Sequence, residues 1–202
     1  KELFTHQAGL PAWIPFWKKT VSEGAYLPGV YSTVPDKEHT IRVCDSLFLS
    51  RSYSDSLRNW VYEAPVSDRG KYVYSDLGPI MTGWIVERLT GKRLDQYVED
   101  EFYRPLQLHH SGFNPRECFT TDHLVPTELD TAFRKKLLRG DVHDPAAAMQ
   151  FGVSGNAGFF SNAFDIAVLM QMLLNGGTYG GQRFLKQETI RKFTARQFTQ
   201  NG

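Results

Sequence analysis

The chain has 202 residues, of which 41% are hydrophobic, 13% aromatic and 22% charged, a balance that excludes disorder and is enough to build a sizeable core. Its formal net charge of +1 gives no case for a nucleic-acid partner, and no apolar run approaches the roughly 20 residues of a membrane-spanning helix. Two cysteines, Cys44 and Cys118, exclude a disulfide framework and leave one bridge open, and no Cys-x-x-Cys metal pair is present.

Leu3-Phe4-Thr5-His6 reads as the end of a short helix, stopped by Gly9-Leu10-Pro11. An aromatic loop follows from Trp13 to Trp17, and residues 24–39, rich in Gly, Pro and polar side chains, read as an irregular excursion. Short helices are expected around Val43–Leu49 and Ser54–Tyr62. The strongest helix starts at Asp76: Leu77, Ile80, Met81, Trp84, Ile85 and Leu89 share one face of a 3.6-residue period. Ser75 or Asp76 can accept its free first-turn amides, and Gly91 ends it. Leu94, Tyr97, Val98 and Phe102 repeat the pattern, closing before Pro105. Asp144-Pro145 has the form of a cap followed by a first helical proline. Ile166, Leu169, Met170 and Leu173 mark a helix capped by Ser161 or Asn162 and stopped by Gly176-Gly177. A last helix is expected from Gln187 to about Gln197. No long alternating run of β-formers occurs, so the expected class is mostly α with long loops, in a single module over residues 1–202.

Three places could carry chemistry. Tyr74 precedes the strongest helix; a free phenol titrates near ~10 and needs a neighbouring cation or hydrogen bonds to serve as a base. The helix start offers a small favourable potential. The bland alternative is a tyrosine packed beneath the turn, with Asp76 as an ordinary cap. Second, Gly152, Gly155 and Gly158 recur every third residue before a helix, a pattern that permits close backbone approach. It is not a phosphate loop, and Ser154 is not in a Gly-x-Ser-x-Gly elbow. Third, Asp141, His143 and Asp144 could bind a metal or form an acid–base pair, but no His-x-x-x-His pair supports a metal, and no metal or other cofactor is expected.

Taken in order, "LFTHQAGLPAW", "YVYSDLGPIMTGWIVERLTGKRLDQYVEDEFYRPLQLHHSGF" and "GVSGNAGFFSNAFDIAVLMQMLLNGGTYGGQRFL" resemble blocks of the serine β-lactamase-related and penicillin-binding-protein-like hydrolases, with Ala8 where that family usually has serine. The likeness looks closest to β-lactamase-like modules fused to family 3 glycoside hydrolases. It implies a helical lobe beside an antiparallel sheet, and acyl transfer from a Ser-x-x-Lys serine. Tyr74-Ser75-Asp76 matches the family's Tyr-x-Asn, which implies Tyr74 as general base and Asp76 as a substrate contact. Ser154 and Asn156 are further substrate-side candidates. Asp in place of Asn removes a donor, since an ionised carboxylate only accepts; this disfavours a lactam carbonyl and favours an esterase, amidase or peptidase-like role. No Ser-x-x-Lys and no Lys-Thr-Gly occurs in the chain. The nucleophile is expected upstream and the third motif, Lys-Thr-Gly or His-x-Gly, downstream, with most of the sheet also outside these residues. The resemblance implies a small-molecule or peptidoglycan-like substrate and a periplasmic or secreted location. The rival expectation is a non-catalytic binding or spacer module beside a glycoside hydrolase.

Overall fold

Helix α1 (Ser52–Tyr62) buries Leu57 and Val61, one turn apart, on its inner face. Helix α2 (Leu77–Thr90) buries Leu77, Gly78, Ile80 and Gly83, and Gly91 follows it at φ 69°, as a left-handed stop requires. Its predicted apolar face is buried only at the start, because Ile85 and Leu89 are exposed. Helix α3 (Leu94–Val98) passes into a π-helical turn over Glu99–Tyr103, whose wider ring ends the segment before Pro105. The short α4 (Pro145–Ala148) is capped by Asp144, whose Oδ1 accepts from the Ala147 amide at 2.7 Å. Helix α5 (Ala163–Leu174) is capped by Asn162, not Ser161, through a 2.8 Å bond from the Asp165 amide. Helix α6 spans Gln187–Thr194. This computed structural model describes residues 1–197.

The expected class needs correction. The structure is 36% helical and 14% strand, so it is a mixed α and β chain rather than a mostly α one. Among the described residues, nine short strands form four small antiparallel sheets. β1 (Val21–Ser22) pairs β2 (Ala25–Tyr26). β3 (Tyr31–Ser32), β5 (Leu47–Leu49) and β4 (Ile41–Cys44) make a three-stranded sheet in that order. β6 (Pro126–Asp130) pairs β7 (Lys136–Arg139), and β8 (Thr178–Tyr179) pairs β9 (Gln182–Arg183). Strands of two to five residues are too short for an alternation to stand out.

The predicted helix at Val43–Leu49 is therefore the β4–β5 hairpin. Ser46, at φ 56°, turns the chain between Cys44 and Leu47, and Ile41, Val43, Leu47 and Leu49 point inward on alternate positions. Residues 24–39 are likewise not irregular throughout, since they contain β2 and β3; Glu23 and Gly24, both at positive φ, form the two-residue turn of the β1–β2 hairpin.

The chain divides into two compact units. The first holds Lys1–Val86 and Phe113–Phe159, around a core that includes Phe16, Ile41, Leu49, Leu57, Leu77, Ile80, Phe133, Leu138 and Met149. The second holds Glu87–Gly112 and the chain from Phe160 onward, around Leu106, Leu108, Val168 and Met172. Cys44 is buried and Cys118 exposed, and both are free thiols; burial pushes the Cys44 thiol up to about 11.

Candidate active site

The site is built in the first unit by two segments that run against each other. The amides of Ser67, Gly70 and Val73 donate to the carbonyls of Gly9, Gln7 and His6 at 2.8–2.9 Å. Ser75 then locks the pair: its amide donates to His6 Nδ1 at 3.1 Å and its hydroxyl donates to the Pro11 carbonyl at 2.6 Å. The same hydroxyl accepts from the Leu77 amide at 3.2 Å, and the Asp76 amide donates to the Ala12 carbonyl at 2.9 Å. Ser75 is thus the side-chain cap of α2, which leaves the Asp76 carboxylate to face Tyr74. With Nδ1 accepting, the neutral His6 imidazole carries its ring proton on Nε2.

Tyr74 is not packed beneath the turn. It is 56% exposed, with its ring against the His6 imidazole at 4.5 Å between centroids and 36° between planes. Its hydroxyl shares a hydrogen bond with Asp76. The Asp76 charge, with smaller contributions from burial, Tyr72 and Asp144, raises the Tyr74 phenol above its ordinary value. Taken alone, the helix start favours the phenolate. A full carboxylate charge at hydrogen-bond distance outweighs the partial charge of a helix end. Asp76 is itself raised, first by burial and then by the neighbouring Asp144, against the opposing pull of the Tyr74 hydroxyl and His6.

Asp144 is the second acid of the site, and it connects the phenol to the glycine loop. Asn156 Nδ2 donates to Asp144 Oδ1 at 3.5 Å, and Ser154 Oγ donates to Asn156 Oδ1 at 2.7 Å. Gln150 donates to Ser154 at 3.3 Å and accepts from the Trp84 indole at 3.1 Å. Ser154 is only 7% exposed, so its hydroxyl is committed to this network rather than to solvent. A small cavity of about 40 Å³ lies between Asp76, Asp144, Leu77 and the aromatic loop at Trp13 and Trp17. It has room for a water molecule or two, not for a substrate.

The structure therefore brings Tyr74, Asp76, Asn156 and Ser154 into one region. It also brings in two residues that the sequence places elsewhere. His6 reads as a lone histidine near a helix end, and Asp144 reads as a cap or as part of a metal or acid–base group with Asp141 and His143. Both carry those local signals, and nothing local marks their meeting with Tyr74. His143 lies elsewhere in its loop, with Nε2 at 2.9 Å from Glu128. Among the described residues no group of three or more His, Cys, Asp or Glu side chains could hold a metal. One triplet, His110-Ser111-Gly112, does fit the His-x-Gly pattern expected only downstream. It is not on a sheet strand: the His110 amide and Ser111 hydroxyl both donate to Asp165, and Gly112 makes a single bridge to Phe160.

Replacing Asp76 by Asn tests this electrostatic arrangement. Removing the carboxylate charge removes the largest influence that disfavours the phenolate, so the Tyr74 midpoint is expected to fall. A 13Cζ-tyrosine NMR titration reads it directly; an unchanged or higher midpoint would show that Asp76 does not control the phenol.

A family model described as Beta-lactamase matches residues 1–202. A protein of Escherichia coli (strain K12), whose name proposes a D-alanyl-D-alanine carboxypeptidase, is 45% identical over 136 residues, which is 61% of this chain and 31% of the relative. N-acetylmuramyl-L-alanine amidase of Bacillus subtilis (strain 168) is 43% identical over 137 residues, 62% of this chain and 31% of the relative. The chain thus spans about a third of the length of these curated relatives. The solved octameric penicillin-binding protein homologue from Pyrococcus abyssi superposes with a TM-score of 0.58 at 19% identity, over 95% of this chain and 37% of that one. At that identity the likeness speaks for the fold. Among the described residues no helix is long and apolar enough to cross a membrane.

Proposed function

The chain belongs to the β-lactamase family, and from that premise we propose that it supplies the tyrosine side of the acyl-transfer site of a serine hydrolase. The nucleophilic serine and its lysine are assigned to a part of the protein outside residues 1–202, which contain no Ser-x-x-Lys. The observation that carries this reading is the exposed Tyr74 phenol, held by its tilted ring contact with His6 and by its hydrogen bond to Asp76.

In this arrangement the phenol is protonated near neutral pH and gives its proton to the Asp76 hydrogen bond. Its oxygen lone pairs stay available to an incoming serine hydroxyl. An ammonium from the nucleophile's own lysine would offset Asp76 and Asp144 and bring the phenol toward a working range. The two acids make this wall of the site anionic. It accepts amide or ammonium donors and repels a substrate carbonyl or carboxylate on that side. The substrate class that fits is an amide or ester with donor groups facing Asp76. A peptidoglycan-derived peptide or amide is favoured by the names of the two curated relatives, and a periplasmic or secreted location goes with such a substrate.

Fluorophosphonate and labelled penicillin probes test the assignment. Residues 1–202 alone are expected to take no covalent label, and the protein that also carries the serine motif is expected to take one label at that serine. Covalent modification at Ser154, or at any other serine of this chain, would overturn it. A second reading is favoured by the raised Tyr74 phenol, which the charges of this chain alone leave poorly suited to a base. This is a non-catalytic binding or spacer module beside a glycoside hydrolase. In that case the complete protein carries no reactive serine and takes no label.

A further inference from the structure

Behind the site, on the other side of the loop that ends in Asp144, lies a guanidinium with no exposed side-chain surface. Arg134 Nε donates to Asp130 Oδ2 at 2.7 Å, one terminal nitrogen donates to the Val142 carbonyl at 2.7 Å, and the other donates to the His143 carbonyl. Glu128 stands at 3.8 Å from the same group. Asp130 is in turn fixed by the amides of Ala132, Phe133 and Arg134 at 2.8–3.0 Å. Burial works against its ionisation, but Arg134 and the Phe133 and Arg134 amides win and hold its carboxyl below the usual range. The planar fork therefore ties the β6–β7 hairpin tip to the two peptide groups that immediately precede Asp144.

We propose that Arg134 is a positioning residue of the Tyr74 site: its fork fixes the backbone at Val142 and His143 so that the Asp144 carboxylate is presented beside Asp76 and Tyr74. The assignment of a role to Tyr74 rests on the functional reading above; the placement of Asp144 does not. The charged and titratable groups that face Tyr74 are Asp76, Tyr72, Asp144 and His6, whose ring packs on it, and those that bear on Asp76 are Asp144, Tyr74 and His6. Arg134 reaches the site through the Val142 and His143 carbonyls, and a lysine in its place keeps its charge, so Arg134→Lys isolates the geometric effect. Lysine keeps the charge of Arg134 but cannot span the carboxylate and both carbonyls, because its ammonium is a single point donor.

The test is a 13Cζ-tyrosine NMR titration of Tyr74 in the protein, alongside thermal unfolding. Asp144→Asn is expected to lower the Tyr74 midpoint, since a negative charge is removed. Arg134→Lys is expected to lower it in the same direction, by no more than Asp144→Asn does, and to cause no further shift in the Asp144→Asn background. If Arg134→Lys lowers the melting temperature but leaves the Tyr74 midpoint in place, the fork is only structural and the proposal fails. It fails equally if Arg134→Lys shifts the midpoint as far with Asp144 replaced as without. Should Arg134→Lys not fold, Asp130→Asn, which takes away the fork's charged partner, carries the same expectations. The titration needs no turnover, so a failure of the acyl-transfer reading appears separately, as absence of probe labelling.

Discussion

Tyr74→Phe is expected to slow acylation of the complete, serine-bearing protein by about 10²–10⁴-fold, the range for removal of a positioned proton-transfer group. The change takes away one oxygen and leaves the ring on His6, so substrate binding and folding are expected to stay near wild type. Because the ring is more than half exposed and its hydroxyl is at the surface, unfolding free energy should move by no more than about 0.5 kcal/mol. The loss is expected in the acylation rate rather than in KM, because the missing oxygen acts on the proton in flight and not on the bound substrate. Pre-steady-state labelling with a chromogenic ester separates the two. A full-rate Tyr74→Phe protein would remove Tyr74 from the mechanism, whatever the fate of the serine assignment.

Gly155→Ala should cost the first unit a large part of its stability. A Cβ built at Gly155 would stand 2.0 Å from the Pro79 carbonyl oxygen and 3.1 Å from the Gly83 amide nitrogen. Both atoms are helical backbone of α2, which cannot swing aside as a side-chain tip could. The loop or the helix start must move by an ångström or more, and overpacking of this kind costs about 3 kcal/mol. For a chain of this size that corresponds to a fall in melting temperature of about 6–12 °C. The displaced helix start carries Asp76, so the Tyr74 titration should move as well. A melting temperature within about 2 °C of wild type would show that the close approach is relieved at little cost.

The spacing of Gly152, Gly155 and Gly158 announces a tight loop, but the three glycines are needed for different reasons. Gly152 and Gly158 sit at φ 72° and 112°, where an L side chain is strained, whereas Gly155 has no such torsion and is needed for space alone. The one-dimensional pattern cannot separate those causes. The neighbour that decides the matter, Pro79, is far away in the chain. Likewise, Val43–Leu49 reads as a short helix, whereas the left-handed Ser46 makes it part of a hairpin. β-Branched Ile41 and Val43 were the local signal that favoured strands.

What the residues alone determine here is local. The caps at Asp144 and Asn162, the glycine stop after α2, and the helical periods of α2 and α5 depend on neighbours within about one turn, so composition and spacing suffice to place them. The family blocks add an expected role for Tyr74 and Asp76. Tertiary structure decides what those residues meet. It packs His6 on Tyr74, sets Asp144 near Asp76, commits Ser154 to Asn156, and anchors the Asp144 loop on a buried Arg134. Each of these contacts joins distant stretches or depends on how a loop packs. The sign of the Tyr74 shift follows from them, because a charge at hydrogen-bond distance in partly dry surroundings overrides the weak field of the helix end on which a purely local argument relies.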